Sequence, residues 1–144
     1  LNAPVFDTPE DAEHAFYRAF EKADLEAMMA TWADADDVVC IHPGGNRLVG
    51  PTDVRESWRR IFAGGVKLTF RVAERTLVEC SELRVHNVLE EISVGGGPRI
   101  VARVFVTNIY VRTASGWRMW MHHGSNPSGE AEAEPDRGTA QTLH

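Results

Sequence analysis

The period of the sequence changes at Lys67. Before it, apolar residues recur at helical spacing; after it they alternate, and β-branched residues dominate. A chain written this way lays helices from its first half against a sheet from its second, an α+β layout. Thr8-Pro9-Glu10-Asp11 reads as a helix start: Thr8 can cap, Pro9 suits the first helical position, and the acids favour the positive end of the helix dipole. Ala12, Phe16, Ala19, Phe20 and Ala23 then keep helical spacing. Asp24 offers a fresh cap for a second helix, in which Leu25, Met28, Met29 and Trp32 fall at i, i+3, i+4 and i+7. Val38 to His42 is a short apolar strand ended by Pro43-Gly44-Gly45. Gly50-Pro51-Thr52-Asp53 opens a third helix whose inward stripe is Val54, Trp58, Ile61 and Phe62, and Gly64-Gly65 stops it. Beyond Lys67, strands are expected near 67–80, 83–94, 99–112 and 116–123, with hairpin turns at Gly95-Gly96-Gly97-Pro98 and Ala114-Ser115-Gly116. Such short turns imply antiparallel pairing.

Composition narrows the function classes. A chain of 144 residues is one domain's worth. With 15 Lys and Arg against 21 Asp and Glu, the formal charge is −6. That balance argues against nucleic acid, whose counterions a basic surface displaces, and against anionic membranes. No apolar run approaches the roughly 20 residues of a membrane span. Two cysteines, Cys40 and Cys80, exclude a disulfide framework and a four-cysteine zinc site by count, and they point to a reducing, cytoplasmic setting. No secretory leader is visible in residues 1–7, although a chain starting at Leu1 leaves an upstream piece open. We therefore divide the chain into an N-terminal extension (1–7), a folded domain (8–127) and a tail (128–144). The tail has no large apolar residue before Leu143 and is expected to be disordered.

Several stretches resemble the NTF2-like superfamily, and its SnoaL-like branch in particular. They are Ala23 to Met29, Trp32 to Val39, Ile41-His42-Pro43-Gly44-Gly45, Leu48-Val49-Gly50, Ser57-Trp58, Thr107 to Arg112, Gly116-Trp117-Arg118 and His122-His123-Gly124-Ser125. The resemblance runs from about residue 8 to 127. It implies a cone-shaped α+β barrel in which three N-terminal helices lie against a curved antiparallel sheet. It also implies a deep pocket and a homodimer formed through the outer sheet face. Both faces of 99–112 are apolar (Val101, Phe105, Ile109 and Val111 on one, Ile100, Val104, Val106 and Tyr110 on the other), which calls for cover on the outer side. Relatives include isomerases, cyclases, dehydratases, transport factors and oligomerisation modules, and the fold does not choose among them.

His42-Pro43 matches an Asp-Pro that carries the proton-abstracting base in isomerase-like relatives, with histidine in place of aspartate. Imidazole suits that task because its ordinary pKa near 6.5 leaves it mostly neutral at pH 7. The plain alternative is a strand-end histidine bonded to a loop carbonyl. Asn108 falls near the relatives' oxyanion donor, and an amide donates without a raised pKa. It can equally bond neighbouring backbone or lie at a dimer interface. Spacing from Asp24 puts Phe16 where those relatives carry a tyrosine; Tyr17 is one residue on, turned by about 100°. A two-donor oxyanion hole is therefore not expected. In the last strand, counting from Gly116 puts Trp120 and His122 on the pocket face and Met119, Met121 and His123 outside, an assignment that a one-residue slip would reverse. His122 is an auxiliary acid/base candidate, or else it bonds Ser125 or a loop.

Phe16, Trp32, Trp58, Tyr110 and Trp120 are candidate walls for a flat, apolar ligand, with ordinary core packing as their alternative. His86 and Glu90 share one strand face about 13 Å apart, too far for direct contact; of the adjacent Glu90 and Glu91 one must face inward or onto a partner, which needs compensation, and an exposed edge or dimer rim is the plainer expectation. Neither a metal nor a cofactor is expected: zinc motifs, phosphate loops and a nucleophile elbow are all missing. The sequence thus leads to a small apolar ligand with proton transfer at His42, Asn108 and His122, or to a non-catalytic binding or dimerisation module on the same fold.

Overall fold

The structure, a computed structural model, describes residues 3–128. The expected tail from 129 onward lies outside the described residues. Three helices, α1 (Pro9–Lys22), α2 (Leu25–Ala30) and α3 (Pro51–Ala63), pack on one mixed sheet. Its strands are β1 (Val39–Ile41), β2 (Leu48–Val49), β3 (Leu68–Glu79), β4 (Leu83–Val94), β5 (Ile100–Thr113) and β6 (Gly116–Ser125), in the order β2-β1-β6-β5-β4-β3. The last four form the expected antiparallel meander. The short strand β1 instead runs parallel to β6, because the crossover through α3 and the meander brings the chain back alongside it in the same direction. Leu48 and Val49 complete a small antiparallel ladder with β1 that the sequence reading left as loop.

The helix starts form as the capping residues dictate. Thr8 Oγ1 accepts from the Asp11 N–H at 3.0 Å and Asp24 Oδ1 from the Ala27 N–H at 3.0 Å, satisfying donors that the first turn cannot. Ala23 ends α1 in the left-handed conformation, which lets α2 begin almost at once. The sheet curls far enough around α1 to bury a wide arc of it. Ala12, Glu13, Phe16, Tyr17, Ala19 and Phe20 are all buried, although the apolar stripe contains only four of them. A backbone bond from the Phe70 N–H to Glu21 Oε2 (2.8 Å) fastens the end of α1 to β3.

Two bulges aim side chains. In β3 one extra residue falls between Ala73 and Thr76, with Glu74 at φ 49°. In β6 the pairing steps from Ile109↔Met121 to Tyr110↔Met119, so Trp120 is the extra residue. That second bulge corrects the expected register. Met119 and His122 both face the core and are fully buried, whereas Trp120 is turned outward and half-buried. Simple alternation from Gly116 fails at the inserted residue. Gly116 itself sits at φ 100°, and a Cβ there would lie 2.7 Å from the Phe6 carbonyl oxygen, where the N-terminal segment pairs with the hairpin.

Candidate functional site

One row of the inner face crosses five strands: Leu77, His86, Asn108, His122 and Cys40 are successive cross-strand neighbours. Register thus sets Asn108 beside His122, and α1 hangs Glu13 and Tyr17 over the row one helical turn apart. The sequence reading passed over Tyr17 because it assumed one buried face of α1. With the sheet wrapped round the helix, Tyr17 is buried, its hydroxyl 2.7 Å from Glu90 Oε2 and 3.1 Å from Asn108 Nδ2. Glu90 corrects a second expectation: it is fully buried on the inner face, not at an edge or rim. Glu91 takes the outer side and pairs with Arg71 and Arg103. The available signal was Glu90's parity with Val88 and Ile92, both of which are fully buried.

These contacts join into a series. His122 Nδ1 is 2.7 Å from Asn108 Oδ1, the Asn108 amide donates to the Tyr17 oxygen, and the Tyr17 hydroxyl donates to Glu90. Burial first, and the Glu90 charge second, hold the Tyr17 phenol well above its ordinary pKa, so it keeps its proton. On the other side of Trp58, His42 Nε2 lies 3.0 Å from Ser57 Oγ, and that hydroxyl donates to the Val54 carbonyl at 2.7 Å. Ser57 thereby spends its only proton on the helix backbone, so the imidazole N–H at Nε2 donates to it and Nδ1 is the basic nitrogen of neutral His42. Cys40 Sγ is 3.4 Å from the same Nε2, and burial raises its thiol pKa, so it remains a thiol. Gly124 helps to seat this strand end, since a Cβ there would press on the Pro43 ring at 3.1 Å.

Aromatic rings pack between the two imidazoles. The Trp58 ring centroid is 4.9 Å from that of His42 and 5.8 Å from that of His122, while Phe16 is 5.0 Å from His122 and 5.6 Å from Trp58. The two imidazole centroids are 6.2 Å apart. The Trp58 indole N–H is buried and has no acceptor among the described residues. Phe16 and Trp58 thus pack beside His42 and His122.

Tyr110 belongs to a neighbouring cluster. Its hydroxyl donates to Glu13 Oε2 at 3.3 Å, where His86 Nδ1 also lies at 2.9 Å, and Arg75 donates to Glu13 Oε1 at 2.8 Å. Trp32 and Trp120 are elsewhere again. They line a groove of about 820 Å³ at the hairpin end with Leu83, Val111 and Arg118, and the Trp120 indole donates to Asp37 at 3.1 Å. The expected five-residue wall is therefore split between three places. Among the described residues, no group of three or more His, Cys, Asp or Glu side chains could hold a metal ion. None of the described helices is long and apolar enough to cross a membrane.

Comparison with known proteins agrees with this architecture. A solved structure from Thiobacillus denitrificans, described as a candidate calcium/calmodulin-dependent protein kinase type II association domain, is 38% identical; the match covers 87% of this chain and 99% of that one, with a TM-score of 0.79. A candidate dehydratase of the NTF2-like family from Streptomyces avermitilis is 33% identical over 81% of this chain and 91% of that one, with a TM-score of 0.72. The F-box protein SKIP8 of Arabidopsis thaliana is 26% identical over 110 residues, which are 76% of this chain and 46% of that protein; this chain thus spans about half the length of that relative. The SnoaL-like domain model matches residues 10–129, and the chain belongs to that family, within the NTF2-like superfamily.

Proposed function

We propose that this domain binds a small apolar molecule between the helices and the sheet and moves a proton on it, in the manner of an isomerase, cyclase or dehydratase. The observation that carries the reading is the series His122–Asn108–Tyr17–Glu90, which ends on an imidazole among aromatic rings opposite a second imidazole, His42. Buried polar groups are costly unless satisfied, and a series that terminates at a titratable base inside an apolar interior suits acid/base work. His42 is the proton acceptor, through Nδ1, and His122 the second acid/base group. Phe16 and Trp58 supply the apolar walls. Asn108 acts through His122, since its carbonyl oxygen meets that imidazole while its amide donates to Tyr17. No cofactor enters this reading. The exposed free thiol of Cys80 fits a reducing compartment, and we assign the protein to the cytoplasm on that ground.

Native mass spectrometry of the purified chain, followed by denaturing extraction, tests the binding step. A retained apolar molecule is the expected result, and His42→Ala and His122→Ala should then abolish its turnover. Repeatedly empty protein that also rejects apolar probes would overturn the reading.

A second reading has its own support. The 38%-identical relative is described as a kinase association domain, and Phe105 is 43% exposed on the outer face of β5. On this reading the domain is a homodimerisation module with a filled interior. Sedimentation separates the two: a dimer that Phe105→Glu dissociates, with no ligand ever recovered, favours assembly alone.

A further inference from the structure

The groove at the hairpin end is lined by two donors that nothing in the fold satisfies. Its position follows from register: Leu83, Val111 and Arg118 are cross-strand neighbours on β4, β5 and β6, so they share one face. The segment after α2 supplies a wall. Thr31 and Ala33 bond the backbone of Met119, at 2.7 and 2.8 Å, which fixes Trp32 at the edge of β6 one residue from Arg118. The bulge in β6 then turns Trp120 outward onto the same groove.

Arg118 is a buried cation with no carboxylate partner among the described residues, and burial pulls its pKa downward. Its Nη2 donates to the Pro4 carbonyl at 2.6 Å, and the guanidinium stacks on the Phe6 ring at 4.9 Å. Those two contacts hold its plane and leave Nη1 buried without an acceptor. The indole N–H of Trp32 is unmet in the same way, whereas that of Trp120 is bonded to Asp37. Two unsatisfied donors, one of them charged, on an apolar groove of about 820 Å³ mark a missing acceptor rather than ordinary packing.

We infer that this groove is a second ligand site, separate from the imidazoles, which takes a small apolar carboxylic acid whose carboxylate meets Arg118. Trp32, Trp120, Leu83 and Val111 cover its body, and the Trp32 N–H is the second donor. Asp34 and Asp37 line the groove as well and repel an anion from their side, which confines the carboxylate to Arg118. To reach Nη1 the ligand displaces Ala3, an exposed residue on the rim. The inference stands apart from the function proposed above, because none of its residues belongs to that site.

The test compares 4-phenylbutyrate with its neutral amide at pH 7, by calorimetry and by the indole ¹H–¹⁵N signals of the full chain. The acid should bind about tenfold more tightly than the amide, because a charge-assisted pair with Arg118 replaces a neutral bond. With a formal charge of −6, the chain as a whole does not favour the acid. Binding should shift the Trp32 and Trp120 indole signals. Arg118→Met keeps an apolar stem, removes the donors and should bring the acid down to the affinity of the amide. The comparison of acid with amide needs only the wild type, so it still decides the matter should Arg118→Met fail to fold. Equal binding of the two probes, binding that leaves both indole signals in place, or rejection of both probes overturns the site.

Discussion

Two buried polar clusters hang from neighbouring turns of α1, built from much the same residue types and wired differently. Around Glu13, three donors converge on one carboxylate: His86 and Tyr110 on one oxygen, Arg75 on the other. Around Tyr17 the bonds run one after another and end on His122. A hub holds elements together, and this one ties α1 to β3, β4 and β5. A series passes direction along, so that a proton fixed at one end bears on which nitrogen carries the proton at the other. Hydrogen bonding alone therefore does not distinguish a structural cluster from a chemical one; the order of donors does.

That contrast is breakable. The largest effect should follow Glu13→Ala, which strands an arginine, a histidine and a phenol at once; a loss of about 3–5 kcal/mol is expected, read by urea denaturation. If Glu13→Ala costs no more than a single lost bond, the hub description is wrong. Asn108→Leu sits in the series and leaves fewer groups unsatisfied, so about 1–3 kcal/mol should go. Its loss should come with a disordered His122 tautomer that Glu13→Ala does not produce.

Tyr17→Phe and Tyr110→Phe should each cost roughly 0.5–1.5 kcal/mol at neutral pH. Their value lies in alkali. Burial lifts both phenols well above the ordinary 10.0, with the charge of Glu90 next for Tyr17 and that of Glu13 for Tyr110. Below pH 10.0 both states hold the proton and the stabilisation is complete. Above it the unfolded chain ionises first, and stability falls until the folded phenols ionise too. Each phenylalanine variant should flatten that alkaline decline in a pH series of melts. The smallest effect belongs to a control on the surface. Glu56, bonded first to Arg59 and then to Arg60, titrates near 2, so its contribution is present above 4.5 and lost as pH falls toward 2. Glu56→Gln should shift the acid limb only slightly, and less at high salt.

Much of this fold was legible in the sequence, and for reasons that identify the remainder. Period, caps and turns are local, so all three helices and the four meander strands came within a residue or two of where they lie. The β1–β6 pairing was not legible, since the three residues of β1 carry too little alternation to read. Trp120 was misplaced by an insertion that leaves no mark on composition. His42, Asn108 and His122 were chosen on strand position, and register does bring Asn108 and His122 together. Tyr17 was lost because a helix enclosed by a curling sheet buries more of its circumference than its apolar stripe announces; Glu90 was lost because a carboxylate on a strand was weighed by its charge rather than by its parity with Val88 and Ile92.

The parallel docking of β1 on β6 has a kinetic consequence. Positions 40 and 122 are joined there across about two-thirds of the domain, whereas the meander closes between strands that follow one another in the chain. Loop closure over that separation is the costly step in the search for the native state. The two imidazoles thus meet only when the final strand docks, and a nascent chain long enough for the hub but not yet for β6 would be folded in appearance and would lack that pair.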